Sequence, residues 1–209
     1  MYNSDISKLI IKNIALLEEA PKIIEEIEKK LYEAINAKFK KFLEDHDDWK
    51  GEYSYGEESG EATLAPDSWP EDENGSYWAW YTLGPSKTSN EDYQYDLTAL
   101  FGQTPHGRFA LSFGVYREGL CGMNKKAWKD YLLKEYKERP ELKLNGVQLE
   151  REMLLIPINL DAAKVEAEYP DDLDECLKPI DDALSTLTMV HPQIDQIVNK
   201  ASEQMKDKI

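Results

Sequence analysis

Apolar positions recur along this chain of 209 residues with two periods, and each change of period marks a change of element. Ile6, Leu9, Ile10, Ile11, Ile14, Leu16 and Leu17, interrupted by Lys8, Lys12 and Asn13, read as a first amphipathic helix. Ser4 or Asp5 can cap it, and it runs to Ala20. Pro21 predicts a break and the first residue of a second helix. Ile24, Ile27, Leu31, Ile35, Phe39 and Phe42 then recur at threes and fours, with Glu25 beside Lys29 and Glu26 beside Lys30 on the wet side. Carboxylates at a helix C-terminus oppose its dipole, so this helix is expected to stop at or before Glu44-Asp45-His46-Asp47-Asp48. Its stripe requires a partner, most simply one face of a sheet.

A period of two takes over beyond Gly51. Glu52 to Tyr55 and Ala62 to Leu64 fit short strands around a turn from Gly56 to Gly60. Pro66, Pro70 and Asn74-Gly75 punctuate a loop or hairpin turn. Ser76 to Leu83 reads as a strand ended by Gly84-Pro85, with Trp78 and Trp80 on one face and Tyr77, Ala79 and Tyr81 on the other. Ser86 to Asp92 is polar loop, and Tyr93 to Phe101 fits either a strand or a short helix.

The clearest alternation lies between Arg108 and Tyr116, where Phe109, Leu111, Phe113 and Val115 share one side. Ala110, Ser112 and Gly114 leave room for something to pack closely on the other side, and this segment is expected to be a central strand. A helix follows from about Lys125 to Glu138, with Trp128, Leu132, Leu133 and Tyr136 inward and Pro140 closing it. Val147, Leu149, Met153 and Leu155 suggest one more strand, with Pro157 near its end and so at an edge. The remainder is helical. Asp161 to Glu168 opens it and Tyr169-Pro170 interrupts; Leu173, Leu177, Ile180, Leu184 and Leu187 form a stripe. His191-Pro192 is expected to break that helix before Ile194, Ile197, Val198, Ala201 and Met205.

This order predicts an α+β fold, an antiparallel sheet of about four to five strands packed by N-terminal, middle and C-terminal helices. It reads as a single domain over 1–209. Residues 1–48 form a helical segment that either joins the core or stands apart as an arm, 51–160 a sheet-rich core with one helix, and 161–209 the C-terminal helices.

Charge changes the picture more than size does. Aspartate and glutamate total 41 against 25 lysines and arginines, a formal net charge of −16. Such a balance favours cationic partners and opposes approach to nucleic-acid phosphates or anionic lipid, so neither direct nucleic-acid binding nor a membrane surface is expected. Lys38, Lys40 and Lys41 form one local basic exception. No apolar run has bilayer length and the amphipathic N-terminus is unlike a signal segment, so a cytoplasmic location is expected. Cys121 and Cys176 share no metal-ligand or redox spacing; two free thiols are expected, with a single disulfide as the alternative.

Few motifs carry chemistry, and no cofactor, metal or catalytic residue is assigned. Counting from Asp45, a calcium loop would need glycine sixth and glutamate twelfth, where Lys50 and Gly56 stand. The histidines His46, His106 and His191 lack zinc-site spacing. His106, at the mouth of the central strand, is the best general-base candidate among them. Glu135-Tyr136-Lys137 matches half of a restriction-nuclease core but falls in a helix-like stretch. Glycine-rich phosphate loops and nucleophile elbows are absent from the sequence.

What stands out is Gly51 to Ser86, which has many acids and aromatics and not one lysine or arginine. Glu52, Tyr53, Tyr55, Glu57, Glu58, Glu61, Asp67, Trp69, Glu71, Asp72 and Glu73 are taken as an acidic, aromatic docking surface. The competing reading makes Trp78 and Trp80 core and the acids a solvated loop. The functional expectation is a non-enzymatic module engaging a basic protein partner. An inhibitor or DNA mimic acting on a nucleic-acid-binding or defence protein, such as a phage or mobile element carries, would fit. A carboxylate-based divalent-metal hydrolase or nuclease-type enzyme is the alternative, and an accessory subunit of a larger assembly a third.

Overall fold

Period two arises where one face of a strand packs on a core, and the strand between Arg108 and Tyr116 also has neighbours on both sides. The structure, a computed structural model, describes residues 4–58, 60–87, 95–103 and 107–206. In chain order its elements are α1 (Ser4–Lys12), α2 (Ile14–Asp45), β1 (Trp49–Tyr53), β2 (Ala62–Pro66), β3 (Ala79–Lys87), α3 (Leu97–Leu100), β4 (Gly107–Val115), α4 (Arg117–Leu120), α5 (Lys125–Glu138), α6 (Pro140–Leu144), β5 (Gln148–Glu150), β6 (Met153–Ile158), α7 (Ala162–Glu168) and α8 (Lys178–Lys206). The strands form one six-stranded sheet in the order β1-β2-β3-β4-β6-β5, every neighbouring pair antiparallel. The fold is α+β, with one strand more than the upper expectation.

Register decides which side chains are buried. Tyr81 opposes Phe113, Leu83 opposes Leu111, and Phe113 and Leu111 oppose Leu154 and Ile156, so these share one face. Leu31, Ile35 and Phe39 of α2 and Leu187, Ile194 and Ile197 of α8 join them in one continuous core. The opposite face carries Glu52, Thr63, Trp80, Thr82, Ser112 and Gly114, which are also paired across strands. The small positions of β4 thus meet the indole of Trp80: a Cβ at Gly114 would lie 2.8 Å from its Cε2. Of the two tryptophans offered as core, Trp80 is half-buried on the opposite face, while Ala79 and Tyr81 take the core.

Several boundaries differ from the sequence expectation, each for a physical reason. Neither Pro21 nor Pro192 breaks its helix. Each removes the donor for the carbonyl four residues earlier, but Leu17 and Thr188 are exposed, so water can serve those carbonyls. The interruption near the N-terminus falls at Asn13 instead. β3 continues through Gly84-Pro85 because β2 pairs with it only around Thr63 and Leu64, leaving the far end of β3 a free edge where proline costs no ladder bond.

The single strand expected at Val147 to Leu155 is a hairpin, β5 and β6. Its turn places Arg151 at φ 54°, a conformation usually given to glycine or asparagine, so no turn residue announced it. In α5 the buried side chains are Trp128, Leu132 and Glu135, while Leu133 is exposed. Tyr93 to Phe101 yields the short helix α3 at its end; residues 88–94 lie outside the described ones.

His191 takes a structural place. Its ring centroid lies 4.7 Å from that of Trp49 and 5.5 Å from that of Trp69, and its Nδ1 is 3.2 Å from the Tyr81 hydroxyl. Burial in this aromatic box lowers its pKa, against the opposing pull of Asp195 and Asp48. Cys121 and Cys176 are both buried and are not joined in a disulfide. Among the described residues no helix is long and apolar enough to cross a membrane.

Candidate functional site

The acid-rich segment from Gly51 to Ser86 does not form one surface. Its turn after β1 is tied inward. Asn36 of α2 accepts from the Tyr55 backbone N–H at 3.0 Å and donates to the Tyr55 carbonyl at 3.1 Å, and the Tyr55 hydroxyl donates to Asp96 at 2.6 Å. Tyr55 also sets its ring edge against Tyr32 and Phe109, so it is an anchor of the turn and not a free docking side chain. Trp69 is only 2 % exposed; it packs on Tyr81 and Phe113 and donates its indole N–H to Asp195 at 2.9 Å. Trp69 therefore leaves the predicted surface and joins the core, because the turn after β2 carries it back onto Tyr81 and Phe113 on the core face of the sheet.

Lys50, one residue upstream of the base-free stretch, changes the electrostatics. Its ammonium pairs with Glu71 and lies 3.8 Å from Asp67, and it sits 5.1 Å from the ring centre of Tyr77. Glu71 is thus engaged, and the one ammonium offsets part of the charge of Asp67 as well. Asp72 is used locally: its carboxylate accepts from the backbone N–H groups of Asn74 and Ser76 and shapes the turn containing Gly75. Glu57 points to another place, a groove of about 420 Å³ beside α2 that it lines with Glu25, Glu28, Glu33 and Tyr32. There burial raises the pKa of Glu28, partly offset by the backbone N–H of Leu97. Tyr53, Glu58 and Glu73 are exposed.

Glu52 and Glu61 remain, and these come together. With Thr63, Ser76, Tyr77 and Trp80 they line a groove of about 310 Å³ on the sheet face opposite the helical layer. Alternation along β1 turns Glu52 to this face, pairing across strands places it opposite Thr63, and Glu61 immediately precedes β2. Trp80 is held flat against Gly114, the one position in its cross-strand row that lacks a side chain. Burial raises the pKa of Tyr77, and the nearby carboxylates of Asp67 and Glu52 add to that rise. Two carboxylates and two aromatic rings around one hollow suit an extended cationic side chain, through ion pairing and cation–π contact. Tyr77 and Trp80 were absent from the residues assigned to the docking surface. The pairing of Trp80 with a glycine on the neighbouring strand is the signal that fixes its place, and it requires the register.

Other clusters are accounted for. The groove of about 510 Å³ between α2 and α8 is lined by Lys38, Lys41, His46 and Asp181 among others. Its Lys38 is bonded to Asp181 at 2.7 Å, and Lys40 lies 3.8 Å from Glu44, so the basic exception is largely paired. Glu135 is fully buried within a helix, 2.5 Å from both Arg139 and Lys200. Among the described residues no three histidine, cysteine or carboxylate side chains are grouped as a metal ion would require. His106 lies outside the described residues. No family model matches the chain, and neither the curated proteins nor the solved structures contain one significantly similar to it.

Proposed function

We propose that this protein is a non-enzymatic binding module that receives a basic segment of a protein partner in the groove formed by Glu52, Glu61, Tyr77 and Trp80. The observation that carries this reading is the composition of the groove, two carboxylates and two aromatic rings in its lining, with Lys50 of the neighbouring cluster 5.1 Å from the ring of Tyr77. The surrounding net charge of −16 would add long-range steering of a cationic partner and a strong dependence on salt. A nucleic-acid-binding protein, whose own site is built for phosphates, is the class of partner such a surface would compete for; inhibition of it is the finer form of the proposal.

The test is capture from a lysate of the source cell with wild-type protein and with the Glu52→Gln/Glu61→Gln variant, eluting with rising salt. A basic protein retained by the wild type, released by salt and not retained by the variant supports the reading. Equal retention by both proteins, or metal-dependent turnover of a phosphoester by the purified chain, overturns it.

A further inference from the structure

The N-terminal helical segment holds an apolar stripe that the rest of the molecule does not cover. Ile6, Leu9, Ile10, Ile11, Ile14, Leu16, Leu17 and Ile23 are each at least 43 % exposed. All the strongly exposed isoleucines among the described residues fall within these first turns. Backbone hydrogen bonds from Asn13 to Leu9 and from Leu17 to Asn13, at 3.1 and 3.0 Å, carry the helix across the irregularity between α1 and α2. The result is an arm about 35 Å long from Ser4 to Ile27, at the usual helical rise. Within it Ile6, Ile10, Asn13, Leu17, Ala20, Ile24, Ile27 and Leu31 follow one another at alternating steps of four and three, the repeat of a helix packed along another helix. The inner end of this line is occupied, because Ile27 packs on the core and Leu31 is fully buried. The outer end is not.

We infer that two copies of this chain pair through this arm about a two-fold axis. Area gives the first argument. Eight aliphatic side chains exposed to this degree amount to an apolar patch approaching the roughly 800 Å² per partner of a specific interface, beyond what monomers commonly show to water. Charge gives the second and selects the occupant. Through Lys30 the arm carries five lysines against six carboxylates, so nearly all of the net charge of −16 lies elsewhere. The arm is therefore the region where two such acidic molecules can meet with least repulsion.

A closed two-fold pair satisfies both stripes at once. This inference does not depend on the groove: its residues are on different elements.

The experiment is sedimentation of the full chain across micromolar concentrations. Wild type is expected to be a dimer. Leu16→Asp/Leu17→Asp alters two exposed positions, so its melting as a dilute monomer should stay unchanged while the dimer weakens by about 100-fold or more. A wild type that stays monomeric throughout, or a dimer indifferent to Leu16→Asp/Leu17→Asp, overturns the inference. So does a monomer that binds zwitterionic phosphatidylcholine vesicles through the same leucines.

Discussion

Glu135 is the carboxylate that most resembles a catalytic one in the sequence, and its surroundings make a quantitative case that it is structural. It sits on α5 with no exposed surface, 2.5 Å from Arg139 one turn later and 2.5 Å from Lys200 on α8. Burial alone would raise its pKa; hydrogen bonds from Lys200 and Arg139 outweigh that and hold it below the ordinary carboxylate value. Truncation to alanine removes the anion and leaves the Arg139 guanidinium, which is nearly buried, facing a vacated apolar site. Breaking a buried ion cluster from one side costs about 3–5 kcal/mol, a drop in melting temperature on the order of 10 °C for a chain this long.

Lys200→Met should cost clearly less, because the Lys200 side chain is 45 % exposed and Arg139 still neutralises the carboxylate. Replacing all three residues together with apolar ones of similar volume should recover most of the loss. Urea unfolding followed by tryptophan fluorescence measures each difference. With a folded-state pKa below the unfolded one, the charged form of Glu135 contributes stability above the ordinary carboxylate pKa. That contribution disappears as pH falls through the folded value, so Glu135→Gln should flatten the acid limb of the stability profile. A Glu135→Ala loss below about 1 kcal/mol would refute the reasoning. So would a hydrolytic activity abolished by Glu135→Gln at unchanged stability.

Other positions give sharper local tests. His191 titrates below its ordinary value, so folding favours the neutral ring, and stability should fall as pH drops from the unfolded value near 6.5 towards the folded one. His191→Phe should remove that part of the slope, at most about 1.4 kcal/mol per pH unit, measured by chemical unfolding across pH 5 to 8. Gly114→Ala should displace the Trp80 indole that its Cβ would meet at 2.8 Å, costing about 1–3 kcal/mol and weakening capture of a basic peptide. Leu31→Ala, at a position with no exposed surface where α2 enters the core, should cost about 2–5 kcal/mol in the same unfolding assay. Burial pushes the Cys176 thiol up to about 12, and Cys121 is buried too, so alkylation followed by mass spectrometry should modify neither until the protein unfolds.

The sequence made legible whatever depends on local period, and much less of what depends on register. The alternation of Phe109, Leu111, Phe113 and Val115 identified β4 as central, and the stripe through Leu31, Ile35, Phe39 and Phe42 identified a helix that joins the same core and packs beside β1. Proline was misleading where its exposed surroundings let water replace the lost hydrogen bond, as at Pro21 and Pro192. The β5–β6 turn escaped because apolar alternation ran through Arg151 without a glycine or asparagine.

At the candidate site, acid content alone could not separate a free carboxylate from one already engaged. Asp67 and Glu71 look like Glu52 and Glu61 in sequence, yet Lys50 pairs with Glu71 and lies 3.8 Å from Asp67, a choice that only the folded chain makes visible. Trp69 and Trp80 are likewise indistinguishable by composition. One lies beneath the sheet and the other across Gly114, and only strand pairing separates them.

The central claim is that Glu52 and Glu61, with Tyr77 and Trp80, take up a basic side chain. Calorimetric titration of a lysine- and arginine-rich peptide into wild-type, Glu52→Gln/Glu61→Gln and Trp80→Ala proteins at several salt concentrations tests it most directly. Saturable one-site binding by wild type is expected, weakening as salt rises, with a shallower salt slope in the glutamine variant and an affinity loss of about tenfold for Trp80→Ala. Identical isotherms for all three proteins would contradict the account, because binding would then come from diffuse charge and not from this groove.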